Sequence, residues 1–392
     1  MGGMEQLRVY GWNEHFAGLL APGEDLGQVA RVVQEHKEAY LVCAAGARRG
    51  NVWAEISGKM RHEGTVRGDF PAVGDWVLVR GLVRMQNGEL ETRHSTRDTR
   101  NSSGPVQIFR ILPRRTVLAR RLEGKREGGG AGGDEQVLAV NVDVAFLGTS
   151  LNESFNMRRL ERYLALARDA GVRPVVLLTK ADLCADSGPY VEQARAVAAG
   201  AAIHAISVVT GQGMQAVRGY LRPGVTAVIL GSSGIGKSTL VNYLAEADVQ
   251  DMMEAREFDD KGRHCTAFRH LVRTPLPAMG GLIIDTPGLR GLSLGEAADA
   301  LAATFSDIDA LATTCKFTDC RHDTEPGCAI KAALESGTLD AGRLESYLRM
   351  RREATAMARK ENRIWERKTK RTEKKVSAAS DKKQKRKWDA MY

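Results

Sequence analysis

The hydrophobic rhythm of the chain changes twice, and each change marks a different kind of structure. After a short leader carrying Tyr10, Trp12 and Phe16, apolar and polar residues alternate in short runs from 27 to 112. Gly27 to Val33, Tyr40 to Cys43, Asn51 to Ile56 and Asp75 to Arg80 are runs of this kind, separated by glycine-bearing turns. Alternation with a period of two between turns predicts strands. About five short strands in this space predict a small barrel. The OB-fold, which binds oligonucleotides, is one barrel among several that fit. The polar stretch 86–104 is expected to form a long hairpin loop.

From Leu112 the pattern lengthens. Apolar runs at Val140 to Leu147, Pro174 to Leu178, Val225 to Leu230 and Leu282 to Ile284 alternate with helical patterns. The helical patterns include Met157 to Ala170, Tyr190 to Ala199 and Lys237 to Ala245. Strand–helix alternation of this sort predicts a doubly wound parallel sheet. Gly124 to Asp134 interrupts it and is expected to be a flexible loop. After Leu294 the chain turns helical and carries a cysteine cluster. The predicted organisation is multidomain α/β: a barrel with its leader over 1–112, an α/β domain over 113–300, a helical domain over 301–350 and a tail over 351–392.

Composition adds little until charge is located. With 43% hydrophobic and 27% charged residues, the chain has the make-up of a globular protein. It holds no apolar run near the ~18 residues that a membrane span needs. Its first residues have no basic-then-apolar signal region, so a cytoplasmic, monomeric protein away from membranes is expected. Its six cysteines are then expected to be reduced or metal-bound. Residues 351–392 hold 16 Lys or Arg against 6 Asp or Glu, a surplus of ten in a chain whose net charge is +9. The basicity therefore sits in the tail, as in an arm that binds nucleic acid or in a solvated end.

Two strings point to phosphate. Gly231-Ser232-Ser233-Gly234-Ile235-Gly236-Lys237-Ser238 fits G-x-x-x-x-G-K-[ST], between an apolar strand and a helix that opens with Thr239. In that setting glycines let backbone N–H groups curl around a phosphate, the lysine neutralises its oxygens and Ser238 offers a hydroxyl to Mg²⁺. Asp285-Thr286-Pro287-Gly288 follows the next apolar strand, where a carboxylate suits Mg²⁺ and Gly288 offers an N–H to a γ-phosphate.

A third string points to the base. Thr179-Lys180-Ala181-Asp182 matches [NT]-K-x-D, in which the carboxylate takes two hydrogen bonds from guanine that adenine cannot supply. Lys180 can lay its aliphatic stem along the base. Thr179 stands where Asn is commoner and is expected to loosen the tie to the phosphate loop. Ser207 and Val208, after another short apolar run, suit the last base-contacting loop. The base motif precedes the phosphate loop, the reverse of the ordinary GTPase order. A circular permutation explains this, because domain termini often lie close together. A P-loop kinase or ATPase fits less well, given Asp182 and the paired D-x-x-G.

Cys315-x4-Cys320-x-His322-x5-Cys328 offers three thiolates and an imidazole, a complete tetrahedral set for structural zinc. Pro326-Gly327 supplies a turn to bring Cys328 back to the others.

With these motifs together, the chain resembles the ribosome small subunit-dependent GTPase A family, the permuted GTPases of bacterial small-subunit maturation. It also shares Leu112-Pro-Arg-Arg-Thr116, Ser150-Leu-Asn152, Arg158-Arg-Leu-Glu-Arg-Tyr163 and Lys261-Gly-Arg-His264. The resemblance runs from the leader to about residue 350. It implies an N-terminal OB-fold, a circularly permuted G domain and a C-terminal zinc-binding domain on the same four Cys and His residues. It further implies GTP hydrolysis in late maturation of the small ribosomal subunit (30S), stimulated by that subunit and its rRNA. Cys265 and Ala267 depart from the family's usual threonines, leaving Thr266 as the hydroxyl for Mg²⁺.

Leu289 occupies the position where many GTPases place a water-orienting Gln. Slow intrinsic turnover is expected, about 10⁻⁴ s⁻¹ as in unaided small GTPases. His264 is the nearest polar candidate to position the water, although a solvent-facing loop histidine would read the same. Arg114 and Arg115, at the barrel–G domain junction, are expected RNA contacts, unless they pair with carboxylates inside the protein. The competing functional reading is a nucleotide-gated RNA-binding module in which hydrolysis is incidental.

Overall fold

In the computed structural model the first rhythm becomes a closed barrel. The structure describes residues 3–36, 39–45, 51–64, 66–84, 90–92, 106–121, 135–152, 155–198, 200–232, 234–246, 269–275, 280–285, 298–317, 320, 322, 325–352 and 354–355. The barrel strands are β1 (Val29–Glu35), β2 (Tyr40–Ala44), β3 (Asn51–Ile56) and β4 (Trp76–Arg80). Leu82–Arg84 (β5) and Leu90–Thr92 (β6) form a side hairpin, and Val106–Ile111 (β7) completes the barrel. The order is β1-β2-β3-β7-β4, and β4 pairs back onto β1. All pairings are antiparallel except β3–β7. This closed five-strand order is that of the OB-fold. Val32, Val42, Ala54, Val77 and Ile108 fill its interior, as the alternation requires. The leader packs on a second cluster, with the Trp12 and Trp76 rings 4.9 Å apart. Of the expected loop 86–104, only β6 is described, and it is a strand. The expected loop 124–134 lies outside the described residues.

The second rhythm becomes the parallel sheet. A hairpin of β8 (Val117–Arg121) and β9 (Glu135–Val140) leads into β10 (Val144–Ser150). Then come β11 (Arg173–Thr179), β12 (Ala202–Ala205), β13 (Thr226–Gly231), β14 (His270–Arg273) and β15 (Leu282–Asp285). The order is β12-β11-β10-β13-β15-β14, parallel except for β14. Val175 and Leu177 face one way, toward Leu240 and Leu244 of the helix Lys237–Ala245. Val176 and Leu178 face the other, toward Leu160 and Leu164 of the helix Met157–Asp169.

The apolar run Val140 to Leu147 proves to be two strands. Asn141 breaks it with φ +54°, a conformation that Asn tolerates better than most residues. Its amide donates to the Gly74 carbonyl at 3.1 Å, and its oxygen accepts from the Arg115 N–H at 2.9 Å. The turn thus places β9 against the barrel and β10 in the sheet.

Helices Ala298–Thr304, Ser306–Thr313 and Ala329–Glu335, with a further helix at 341–352, pack on Met157–Asp169. Leu301, Phe305, Ile308, Ile330, Tyr347 and Met350 share one core with Tyr163 and Leu164. No described helix is long and apolar enough to cross a membrane.

Candidate nucleotide and metal sites

β13 lies between β10 and β15, where the strand order reverses, and the phosphate loop leaves its carboxyl end. Clefts at such a switch point are where open α/β sheets bind ligands. The loop is shaped from inside by Ile235, which is 3% exposed. Its side chain lies over Gly148 and Gly231, directly paired on β10 and β13. A Cβ on either glycine would meet Ile235 Cδ1, at 2.3 and 2.0 Å respectively. Gly234 and Gly236 have φ of +86° and +90°, which bend the loop as only glycine does readily.

Lys237 opens the following helix, and its ammonium donates to the carbonyls of Gly231 and Ser232, each at 2.9 Å. Burial lowers its pKa from the ordinary lysine value, and the nearby charge of Asp285 partly offsets this. The two phosphate-side groups read from separate strings are therefore electrostatic neighbours. Ser238 and Thr239 stand in the first helical turn, Ser238 half-buried and Thr239 exposed. Asp285 ends β15. Ser233, His264, Thr266, Gly288 and Leu289 lie outside the described residues.

The base motif ends β11, two strands from the phosphate loop. Thr179 is buried, and its hydroxyl donates to the Ile235 carbonyl at 2.9 Å. The tie that Thr179 was expected to loosen is made, because the hydroxyl reaches the loop directly. Lys180 adopts φ +60°, and Ala181 starts a short turn whose N–H donates to the Ile206 carbonyl at 3.0 Å. The carboxylate of Asp182 is exposed at the mouth of the cleft. Ser207 is buried, with its hydroxyl accepting from the Thr210 N–H at 3.2 Å, and Val208 follows on the rim. The base motif, its companion loop and the phosphate loop thus converge on one end of the sheet.

The metal-ligand set also converges. One ligand atom from each of Cys315, Cys320, His322 and Cys328 lies within 4.8 Å of the others. Sγ of Cys315 is 3.9 Å from Sγ of Cys328, and the two sulfurs lie 3.7 and 3.5 Å from Nδ1 of His322. Zn–S bonds of about 2.3 Å in a tetrahedron set edges of roughly 3.8 Å. The four residues therefore fit a metal ion as they stand. Lys316 N–H donates to the Gly327 carbonyl at 3.2 Å, closing the turn expected at Pro326-Gly327.

Of the two junction arginines, Arg114 is turned into the protein and Arg115 stays exposed. Arg114 forks onto Asp75 at 2.8 and 2.7 Å and donates to the carbonyls of Gly68 and Phe70, each at 2.8 Å. Arg115 pairs with Asp143. Trp53 on β3 had not been singled out, yet it is 49% exposed, with His36 edge-on at 5.2 Å. Alternation alone puts it on the outer face, opposite buried Ala54; its exposure could have been read from that.

Comparison with known proteins agrees with this geometry. Residues 111–295 match the RsgA GTPase domain family. A small ribosomal subunit biogenesis GTPase RsgA from Opitutus terrae is 41% identical over 359 residues, covering 90% of this chain and 91% of the relative. An RsgA 2 of the same description from Lactiplantibacillus plantarum is 40% identical over 330 residues, 83% of this chain and 84% of the relative. The crystal structure of YjeQ from Thermotoga maritima superposes with a TM-score of 0.53 at 24% identity, over 82% of this chain and 96% of that one. That of YloQ, described as a circularly permuted GTPase, gives 0.51 at 22% identity, over 87% and 98%. The structural likenesses carry the fold alone; the sequence identity over nine tenths of both chains carries more. The chain belongs to the RsgA family of circularly permuted GTPases.

Proposed function

We propose that this GTPase acts in late maturation of the small ribosomal subunit, binding its rRNA in one nucleotide state and leaving after hydrolysis. The observation that carries the nucleotide part is the Thr179–Ile235 hydrogen bond, which holds a guanine-type motif and a phosphate loop at one cleft. The ribosomal part rests on the names of relatives that match over more than four fifths of both chains.

In this reading Asp182 accepts from the guanine edge, Lys180 covers the base, and Ala181, Ser207 and Val208 border it. The loop from Gly231 to Thr239 and Lys237 hold the phosphates. Mg²⁺, which would screen the phosphate charge, would be held by Ser238 and Thr266, with Asp285 in outer-shell contact and Gly288 offering its N–H to the γ-phosphate. His264 orients the water in place of the Gln absent at Leu289. Cys315, Cys320, His322 and Cys328 hold one structural zinc, with no position left open for chemistry. The segments 1–112, 113–300, 301–350 and 351–392 act as RNA-binding barrel, switch, zinc-braced domain and basic arm of a cytoplasmic monomer. RNA contact on the barrel falls to exposed surfaces such as Trp53, whose ring offers a stacking face, rather than to Arg114.

GTP turnover is to be measured alone, with purified small subunits and with large subunits at matched concentration. Small subunits are expected to raise turnover at least about tenfold, about 1.4 kcal/mol of barrier, and large ones to leave it unchanged. Equal rates in all three would remove the ribosomal role. Particle binding that depends on GTP without any stimulation would favour a nucleotide-gated RNA-binding module.

A further inference from the structure

β1 belongs to the barrel, yet it touches the nucleotide sheet at two places, near its start and near its end. Near its start, buried Arg31 reaches Thr226 Oγ1 at 3.0 Å, at the first residue of β13. At its far end, Gln34 pairs with His270 of β14. The next residue, Glu35, accepts a hydrogen bond from Arg269 at 3.1 Å. Arg269 is 6% exposed, and the same Nη1 also donates to the Val137 carbonyl of β9 at 2.9 Å. Barrel, hairpin and nucleotide sheet therefore meet at one guanidinium.

That meeting point is close to the chemistry. His270 is the direct cross-strand partner of Asp285, the carboxylate whose charge reaches Lys237. Strands lie roughly 4.8 Å apart, so β1 and Asp285 are separated by only about 10 Å. β14 is four residues long and held along its whole length by β15, but, among the described residues, by a single residue pair on the barrel side. β1, in contrast, is tied into the barrel by five pairs with β2 and three with β4. A load on the barrel would reach β14 through Gln34 and Glu35, at the end of β1 remote from Arg31. The four residue steps from Arg31 to Glu35 give that arm about 13 Å.

We infer that Glu35, through its bond to Arg269, is a positioning residue by which the barrel sets β14 and so the phosphate-side carboxylate Asp285. The inference rests on the proposed function insofar as the load is taken to be rRNA bound at the barrel.

The test uses the full chain with Glu35→Gln, Glu35→Asp and the double exchange Glu35→Arg with Arg269→Glu. Glu35→Gln keeps the shape of a half-exposed residue and removes its charge. It is expected to leave GDP affinity and small-subunit affinity within about twofold of wild type. The kcat at saturating small subunits should fall at least about fivefold, with Glu35→Asp intermediate and the double exchange restoring part of the loss. Measured beside the single exchanges Glu35→Arg and Arg269→Glu, the double exchange closes a cycle that isolates the pair from its separate effects. An unchanged stimulated kcat, or an equal fall in nucleotide affinity, overturns the inference. If wild-type turnover is indifferent to small subunits, the functional reading fails, and the contact is judged on amide exchange. Glu35→Gln should then speed exchange at least about fivefold across His270–Arg273 and Leu282–Asp285; wild-type exchange there overturns the positioning role.

Discussion

Two joints hold this molecule together, and each is built around an arginine lying over an aromatic ring. At the joint between barrel and nucleotide domain, Arg31 stacks on Trp76 at 5.2 Å. At the joint between nucleotide domain and C-terminal helices, Arg343 stacks on Phe305 at 4.9 Å. Their partners differ. Arg31 donates to the carbonyls of Tyr10, Gly74 and Asn141 and to the Thr226 hydroxyl, with no carboxylate among them. Arg343 meets Glu161 at 2.6 Å and grips both oxygens of Asp307 at 2.7 and 2.6 Å.

The difference sets how each joint responds to its surroundings. Burial lowers the Arg31 pKa to about 10, offset in part by the charge of Asp143. Its charge is a cost that the planar fork recovers through four fixed acceptors, a geometry lysine cannot copy. For Arg343 burial also works against the charge, but Asp307 and Glu161 more than offset it and its pKa rises. Around Arg31 the first joint is held by shape and neutral dipoles, with the Glu35–Arg269 ion pair at its other end; around Arg343 the second is held by opposite charges, one of them at the surface. A molecule whose barrel must stay seated while its far domain responds to a partner would be built this way.

The largest perturbation separates the joints by removing metal. Cys328 is buried and caps the helix Ala329–Glu335, whose Ile330 packs in the core with Phe305. Structural zinc contributes roughly 10–16 kcal/mol in small domains. Chelation is therefore expected to open the second joint and leave the first closed. Limited proteolysis should then cut only beyond about residue 300, with metal analysis showing about one zinc lost per chain. A cleavage pattern indifferent to chelation would sink both the zinc site and the independence of the joints.

The next perturbation tests the first joint directly. Arg31→Met fills a similar space and leaves three carbonyls and a hydroxyl without their donor. Buried groups left unpaired cost about 1–3 kcal/mol each, and relaxation recovers part of that. A loss on the order of 4 kcal/mol in denaturant unfolding is expected, with Arg31→Lys recovering little. If lysine restores most of the stability, charge rather than the forked geometry holds the barrel.

The two joints also show what the sequence could and could not reveal. The phosphate loop, the base motif and the Cys/His set were legible because each is a short contiguous string whose spacing is its chemistry. The barrel and the parallel sheet were legible from period alone. The joints were not, since Arg31 reaches Thr226 across 195 positions and Arg343 reaches Glu161 across 182. The same distance hides the partners of Arg114 and Arg115, which read as unpaired cations until Asp75 and Asp143 are brought beside them; Arg115 stays exposed with its partner. Arg158 and Glu161 were noticed only as part of a family string, and their place at the second joint depends on the helix at 341–352 folding back. Asn141 was hidden inside an apolar run, where one left-handed residue outweighs six good strand formers.

The smallest effect sharpens the comparison through pH. Burial would raise the Asp307 pKa, but the hydrogen bonds and charge of Arg343 outweigh it and hold that pKa below the ordinary carboxylate value. Unfolded, Asp307 titrates near about 3.9. The unfolded chain thus binds this proton more readily than the folded one, and stability rises with pH across the interval. The contribution is fully present above about pH 4 and is lost as pH falls through the folded-state pKa. Because the Asp307 side chain is 47% exposed, solvent screening limits it to under about 1 kcal/mol. Arg31 does not titrate anywhere near this range, so the cluster around it supplies no matching loss. Unfolding of wild type and Asp307→Asn should be compared at pH 7 and near pH 3. The gap between them is expected to narrow on acidification, as the wild-type carboxyl begins to take up the proton that makes it neutral like the amide. It is also expected to narrow in high salt, which screens a half-exposed pair. A gap that persists unchanged in acid would mean that Asp307 acts through its hydrogen bonds and packing, and that the second joint is as indifferent to charge as the first.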